Sequence, residues 1–257
     1  YTTNELVDNG GSGVIQAGKR SDREGYPLNS IFGLRYCGKI QTEEQLQKYV
    51  NKYKNNSSIG TLNNLRLGDN MFDVNKDGKL DAEDLVYLGT DDPKMQFSIN
   101  AGVEWKGLDF SIVFQGAGKR TVWREKSTWR IPMRTTYQNG SNQFIGNTWT
   151  PENTGAYYPA LTNKSELNNY NYQCSSWSVE DGSYLRLKNV TLGYTLPSSL
   201  LAKTKVLSKV RFYVSGSDLW EHSNISDGWD PEASSEVDNA KRYPFLRTVT
   251  FGLNLTF

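Results

Sequence analysis

The last eleven residues, Arg247–Phe257 (RTVTFGLNLTF), constrain the fold of this chain more than any other stretch. Val249, Phe251, Leu253, Leu255 and Phe257 fall on one face of an extended strand, and Thr248, Thr250, Gly252, Asn254 and Thr256 on the other. Such a strand can be the edge of a soluble β-sandwich whose apolar face packs on a core. It can also be the roughly ten-residue unit of a transmembrane β-barrel, apolar towards lipid and small and polar towards the lumen.

Recurrence of the pattern favours the barrel. Phe97, Ile99, Ala101, Val103 and Trp105 alternate with Ser98, Asn100, Gly102 and Glu104. After a turn at Lys106 and Gly107, Leu108, Phe110, Ile112 and Phe114 alternate with Asp109, Ser111, Val113 and Gln115, which predicts a tight hairpin. Tyr184–Leu196 places Val190, Leu192, Tyr194 and Leu196 on one face. Val206–Trp220 opposes Val210, Phe212 and Val214 to Arg211, Tyr213 and Ser215. Tyr26–Cys37 is a weaker candidate, bringing the readable strands to six. No run of about 18 apolar residues exists, so only a closed barrel could carry this chain across a bilayer. The low mean hydropathy, -0.64, is compatible with that, because barrel strands have polar inward faces and long loops dilute the average.

The connections alternate between short (106–107 and 197–205) and long (38–94, 117–183 and 221–246), as they must if all long loops emerge on one side of the membrane. That side is expected to be extracellular. Six strands are fewer than the roughly eight of the smallest barrels, so the chain reads as part of a larger one. No signal peptide opens the sequence, which fits either a mature start or a piece of a longer protein.

Within the first long segment, residues 42–54 are predicted to be helical. Thr42 is placed to cap, Glu43 and Glu44 occupy the first turn, and Leu46, Tyr49, Val50 and Tyr53 recur at helical spacing. Residues 73–84, DVNKDGKLDAED, match an EF-hand-like calcium loop. Asp73, Asn75 and Asp77 stand at positions 1, 3 and 5, Gly78 at 6, the Lys79 carbonyl at 7, Asp81 at 9 and Asp84 at 12. Calcium requires about six to eight hard oxygens, and the Gly permits the turn that points them inward. Asp in place of Glu at position 12 shortens that arm; the competing reading is a metal-free polar turn.

Residues 116–182 lose the alternation and are rich in Asn, Ser, Thr and aromatics. Trp123, Trp129, Arg130, Trp149, Tyr157 and Trp177 are the candidate ligand contacts, because exposed rings among polar side chains suit sugar or peptide stacking. The alternative is that these rings pack the loop into a lid or against a partner. Both cysteines fall on the extracellular side, which predicts a Cys37–Cys174 disulfide if they are paired, or two unrelated thiols if they are not. Balanced charge, 29 basic against 28 acidic residues, gives no reason to expect nucleic acid. A single histidine, His222, argues against a His-based metal or triad site.

The runs DVNKDGKLDAEDLVYLGTDDPKMQFSINAGVEWKGLDFSIVFQGAGKR, WSVEDGSYLRLKNVTLGYTLPSSLL, VRFYVSGSDLW and YPFLRTVTFGLNLTF together resemble the C-terminal barrel portion of SusC-like (SusC/RagA) TonB-dependent outer-membrane transporters of Bacteroidetes. The resemblance spans about Tyr26 to Phe257. It implies an all-β fold: the C-terminal part of a transmembrane antiparallel β-barrel of roughly 22 strands, plugged by an N-terminal domain, with long extracellular loops. It also implies uptake of a glycan or peptide, a SusD-like surface lipoprotein as lid, TonB as energy source and the cell outer membrane as location. Plug and remaining strands have no counterpart in this chain and are expected as a further chain. Phe257 resembles the terminal signal by which outer-membrane barrels are recognised for assembly. No enzymatic activity is expected, since nothing brings Asp230 and Glu232 to the separation of paired catalytic carboxylates. The alternative function is a secreted, calcium-braced carbohydrate-binding β-sandwich.

Overall fold

A computed structural model describes residues 20–21, 25–53, 64–72, 80, 84–123, 142–203, 206–225, 229–232 and 246–257. In chain order its elements are β1 (Arg20–Ser21), β2 (Ser30–Gly33), β3 (Tyr36–Lys39), α1 (Glu43–Lys52), β4 (Asn70–Phe72), β5 (Val86–Thr90), β6 (Gln96–Trp105), β7 (Leu108–Ala117), β8 (Thr121–Val122), α2 (Ser165–Asn171), β9 (Glu180–Asp181), β10 (Tyr184–Thr195), α3 (Ser198–Leu201), β11 (Lys209–Ser223) and β12 (Thr248–Thr256). They fall into two compact units. One comprises residues up to Asp92 together with Thr121–Asp181, and the other Pro93–Arg120, Gly182–Glu232 and the segment ending at Phe257. Among the described residues no helix is long and apolar enough to cross a membrane.

The second unit is an antiparallel sheet in the order β12-β11-β10-β7-β6. Its register lines side chains into rows that run across every strand. Trp105, Leu108, Tyr194, Phe212 and Leu253 form one apolar row, and Val103, Phe110, Leu192, Val214 and Phe251 the next. The rows of the opposite face are polar or small, among them Gly102, Ser111, Thr191, Ser215 and Thr250. The hairpin expected at Lys106–Gly107 is present. Positive φ at both residues (48° and 88°) gives the turn whose twist matches the flanking strands.

One feature of β10 escapes simple alternation. Leu185 and Leu187 lie in apolar rows, yet beyond Lys188 the apolar positions are Val190, Leu192 and Tyr194. The register shifts between Leu187 and Asn189 against both neighbouring strands, so Lys188 sits in a β-bulge that changes the parity of the strand. Lys188 and Asn189 therefore both serve the polar face.

The sixth candidate strand does not join this sheet. Residues 26–37 divide into β2, which pairs with β1 and β5, and β3, which pairs with β4. All four residues of β2 are buried, which explains why its alternation was weak: it has no solvent face. Among the described residues the continuous sheet has five strands, and the candidate strand at Tyr26–Cys37 lies outside it.

The first unit is held by a core of its own. Helix α1 forms as its sequence predicts: Thr42 Oγ1 accepts the Gln45 N–H at 3.2 Å, and Leu46, Tyr49 and Tyr53 turn inward. They pack with Leu34, Ile40, Leu65, Phe72, Leu80, Leu167 and Tyr170, so both long segments contribute to one core. The Tyr49 hydroxyl donates to the Phe72 carbonyl and accepts the Phe72 N–H, each at 3.0 Å. With its one proton so committed, it accepts from the Tyr170 hydroxyl at 2.8 Å. A second buried network joins the segments through Asn171, whose Oδ1 accepts the Asn70 N–H and whose amide donates to Asp69 Oδ1, both at 2.8 Å.

Candidate functional site

The sheet offers two faces with different chemistry. On the apolar face Ile99, Val103, Trp105, Phe110, Leu192, Phe212, Val249, Phe251 and Leu253 are all exposed, up to 82% for Phe251. A contiguous apolar surface of this extent marks contact with lipid or protein. The polar face is built flat at one end. Gly193 lies between Asp109 and Arg211, whose Nε donates to Asp109 Oδ1 at 2.8 Å, and a side chain at Gly193 would collide with both. The Tyr213 ring lies over Gly252, where a Cβ would come within 2.1 Å of it, and the Arg211 guanidinium stacks 4.9 Å from the same ring.

Towards the end of the sheet from which the long connections leave, the polar face is charged. Arg186 on β10 is 0% exposed and lies directly across from Glu221 on β11. Asp230 and Glu232, from the connection between β11 and β12, converge on the same guanidinium. These two carboxylates are ion partners of an arginine. Sequence reading missed Arg186, although an arginine at an inward position of a barrel strand is itself a signal.

The ring residues expected to touch ligand separate into groups. Trp123 and Trp149 are buried, at 6% and 7% exposure. Trp123 packs with Ile31 and Cys174, and Trp149 covers Gly68 while its indole N–H donates to Gln41 Oε1 at 2.9 Å. Both are buried side chains of the first unit. Tyr157 and Trp177 do come together, 5.4 Å between ring centroids, with Tyr36 6.3 Å beyond Trp177. Tyr157 is 51% exposed, so this edge of the cluster is accessible. Burial holds the Tyr36 phenol above its ordinary value, so it stays a neutral hydrogen-bonding group there. Trp129 and Arg130 lie outside the described residues.

Of the calcium-loop positions, Asp73, Asn75, Asp77, Lys79 and Asp81 also lie outside the described residues. Asp84 is 1% exposed, and Leu80, at loop position 8, is buried in the core beside Phe72. The Cys37–Cys174 disulfide is not formed. Cys37 is exposed, whereas Cys174 is buried and its carbonyl accepts the Leu34 N–H at 3.0 Å, three residues from Cys37. Three residues of extended chain span about 10 Å, beyond the Cα separation of about 7 Å that a disulfide tolerates. Phe257 follows β12 and is 78% exposed.

No family model matches the chain. It is 29% identical over 265 residues to TonB-dependent receptor P3 of Formosa agariphila, covering 98% of this chain and 24% of that receptor. It is 28% identical over 192 residues to the TonB-dependent receptor SusC of Bacteroides thetaiotaomicron, covering 74% of this chain and 18% of SusC. The chain is a relative of the SusC-like TonB-dependent receptors. Its fold superimposes on the RagAB peptide transporter with a TM-score of 0.66 and 23% identity, covering 98% of this chain and 24% of the solved one. The antiparallel sheet is thus the fold of a TonB-dependent transporter barrel segment, and the chain spans about a quarter of the length of the relatives it matches. Those relatives are receptors and transporters, not enzymes.

Proposed function

We propose that this chain forms part of the barrel wall and extracellular loops of an outer-membrane importer that takes up glycans or peptides with a SusD-like lipoprotein and TonB. The observation that carries the reading is the two-faced sheet. Two apolar rows, through Leu192 and Tyr194, run unbroken across five strands and carry exposed side chains, while the reverse face is small or polar but for Val113 and the ring of Tyr213. A β-sandwich would cover that apolar face with a second sheet; lipid covers it in a barrel. Isolation in detergent followed by identification of co-purifying chains tests it. The expected result is recovery with the rest of a plugged barrel and a surface lipoprotein, together with heat-modifiable migration; a soluble monomer that folds without detergent rejects it.

The ligand is expected to meet the loop unit at Tyr157, Trp177 and Tyr36, the accessible edge of the aromatic cluster, where stacking on sugar or peptide planes is available. Calcium is proposed to brace the loop 73–84. The loop carries the acidic positions the ion needs, and its Leu80, together with Phe72 just before it, belongs to the core of the first unit. Chelation should then hasten proteolysis of the first unit, calcium but not magnesium should reverse it, and identical digestion with and without chelator removes the ion from the proposal.

A further inference from the structure

The charged end of the polar face contains more than a pair of strand residues. Arg186 Nε donates to Glu221 Oε2 at 2.7 Å, and Nη2 contacts the same oxygen. That cross-strand pair would by itself neutralise the guanidinium. Two further carboxylates nevertheless arrive from outside the sheet: Nη2 donates to Asp230 Oδ1 at 2.8 Å, and Nη1 lies 2.9 Å from Glu232 Oε1. Residues 230–232 are gripped at other points as well. Tyr184 donates its hydroxyl proton to Glu232 Oε1 at 3.1 Å, Lys188 Nζ stands 3.6 Å from the same oxygen, and Arg120 Nη1 donates to the Pro231 carbonyl at 2.8 Å. The segment is also shaped in advance, by Pro231 and by the Glu232 N–H donating to Asp230 Oδ1 at 3.0 Å.

A guanidinium has five N–H donors in a fixed fork, and two of them, on Nε and Nη2, meet the same Glu221 oxygen, Oε2. With residues 229–232 in place the Arg186 side chain is 0% exposed. Lifting Asp230 and Glu232 away would break two of its ion pairs and exchange them for water. The charge of Arg186 thus ties residues 229–232 to the sheet.

We propose that Arg186 is a positioning residue that holds segment 229–232, within the connection from β11 to β12, on the polar face of the sheet and so inside the mouth of the import passage. The second half of this statement rests on the reading of that face as lumenal. The docking itself does not, and the experiment separates them. Lys188, contributed by the bulge, and Asp218, 3.4 Å from it, add further charges beside the clamp.

The test is hydrogen exchange, followed by mass spectrometry, on the full-length transporter in detergent. A D230N/E232Q double variant leaves the Arg186–Glu221 pair intact, and R186M removes the clamp's centre. Both should raise exchange in the peptide covering residues 229–232 by about tenfold or more, with peptides of β10 and β11 unchanged. R186K should fall between, because an ammonium keeps the charge but lacks the planar five-donor fork of a guanidinium. Should R186M fail to fold, the double variant carries the test alone. Exchange in 229–232 at the parent rate in the double variant overturns the proposal. Solubility of the parent protein without detergent would instead sink the importer reading and leave the clamp standing.

Discussion

The two units solve the same problem, satisfying backbone polar groups while covering apolar side chains, in opposite ways. In the sheet unit every strand pairs with its neighbour, so the backbone needs no help, and each side chain is free to serve one of two environments. In the loop unit the strands are two to five residues long, and side chains supply what ladders do not: the Tyr49 hydroxyl closes on both polar groups of Phe72, and Asn171 bridges Asn70 and Asp69. The sheet owes its stability to surroundings on both faces, whereas the loop unit carries its own core. Substitutions should therefore fail differently in the two units.

The largest expected effect is on the apolar face. Leu192→Arg, in the middle of a row spanning all five strands, should cost about 2–4 kcal/mol of insertion free energy and lower the amount of heat-modifiable barrel in the outer membrane. The same substitution at Thr191, its neighbour on the polar face, should leave the barrel level close to the parent. Equal loss at both positions would erase the distinction between the faces.

In the loop unit, Phe72→Ala should destabilise by about 3–5 kcal/mol. Phe72 is fully buried and its ring meets Tyr170 edge-on at 5.3 Å. The unit should become protease-sensitive while migration of the barrel stays unchanged; coupled loss of both would show that the units fold as one. Asn171→Ala, which strands the Asn70 N–H and one oxygen of Asp69, should cost about 1–3 kcal/mol by the same assay.

The smallest effect concerns pH. Burial raises the Asp69 carboxyl above its ordinary 3.8, against the opposing hydrogen bonds from Asn171 and the Arg66 N–H. The folded unit therefore holds this proton more tightly than the unfolded chain. Its contribution is full below 3.8 and declines as pH rises through the raised folded value. Protease resistance of the loop unit should show this decline in the parent and lack it in Asp69→Asn. An unchanged profile in the variant would assign the decline elsewhere.

The same contrast governs what could be read from residues. β6, β7, β11 and β12 were legible because each strand meets two unlike environments, and period-two alternation is the record of that. α1 was legible through Thr42 and its helical spacing. β2 was not, because both its faces are buried, and the change of parity at Lys188 was overlooked although LRLKNVTL contains it: two leucines on odd positions give way to Val190 and Leu192 on even ones. The aromatic loop could not be sorted at all. Trp149 and Tyr157 share a composition and a neighbourhood, and only three-dimensional packing buries one and exposes the other.

The most direct test of the two-faced sheet is a spin-label scan through residues 249–254 of β12 in the membrane-inserted transporter, comparing collision with oxygen, which concentrates in lipid, and with a water-soluble nickel complex. Oxygen accessibility should peak at positions 249, 251 and 253 and fall at 250, 252 and 254. A profile without this two-residue period would contradict a lipid-facing apolar surface.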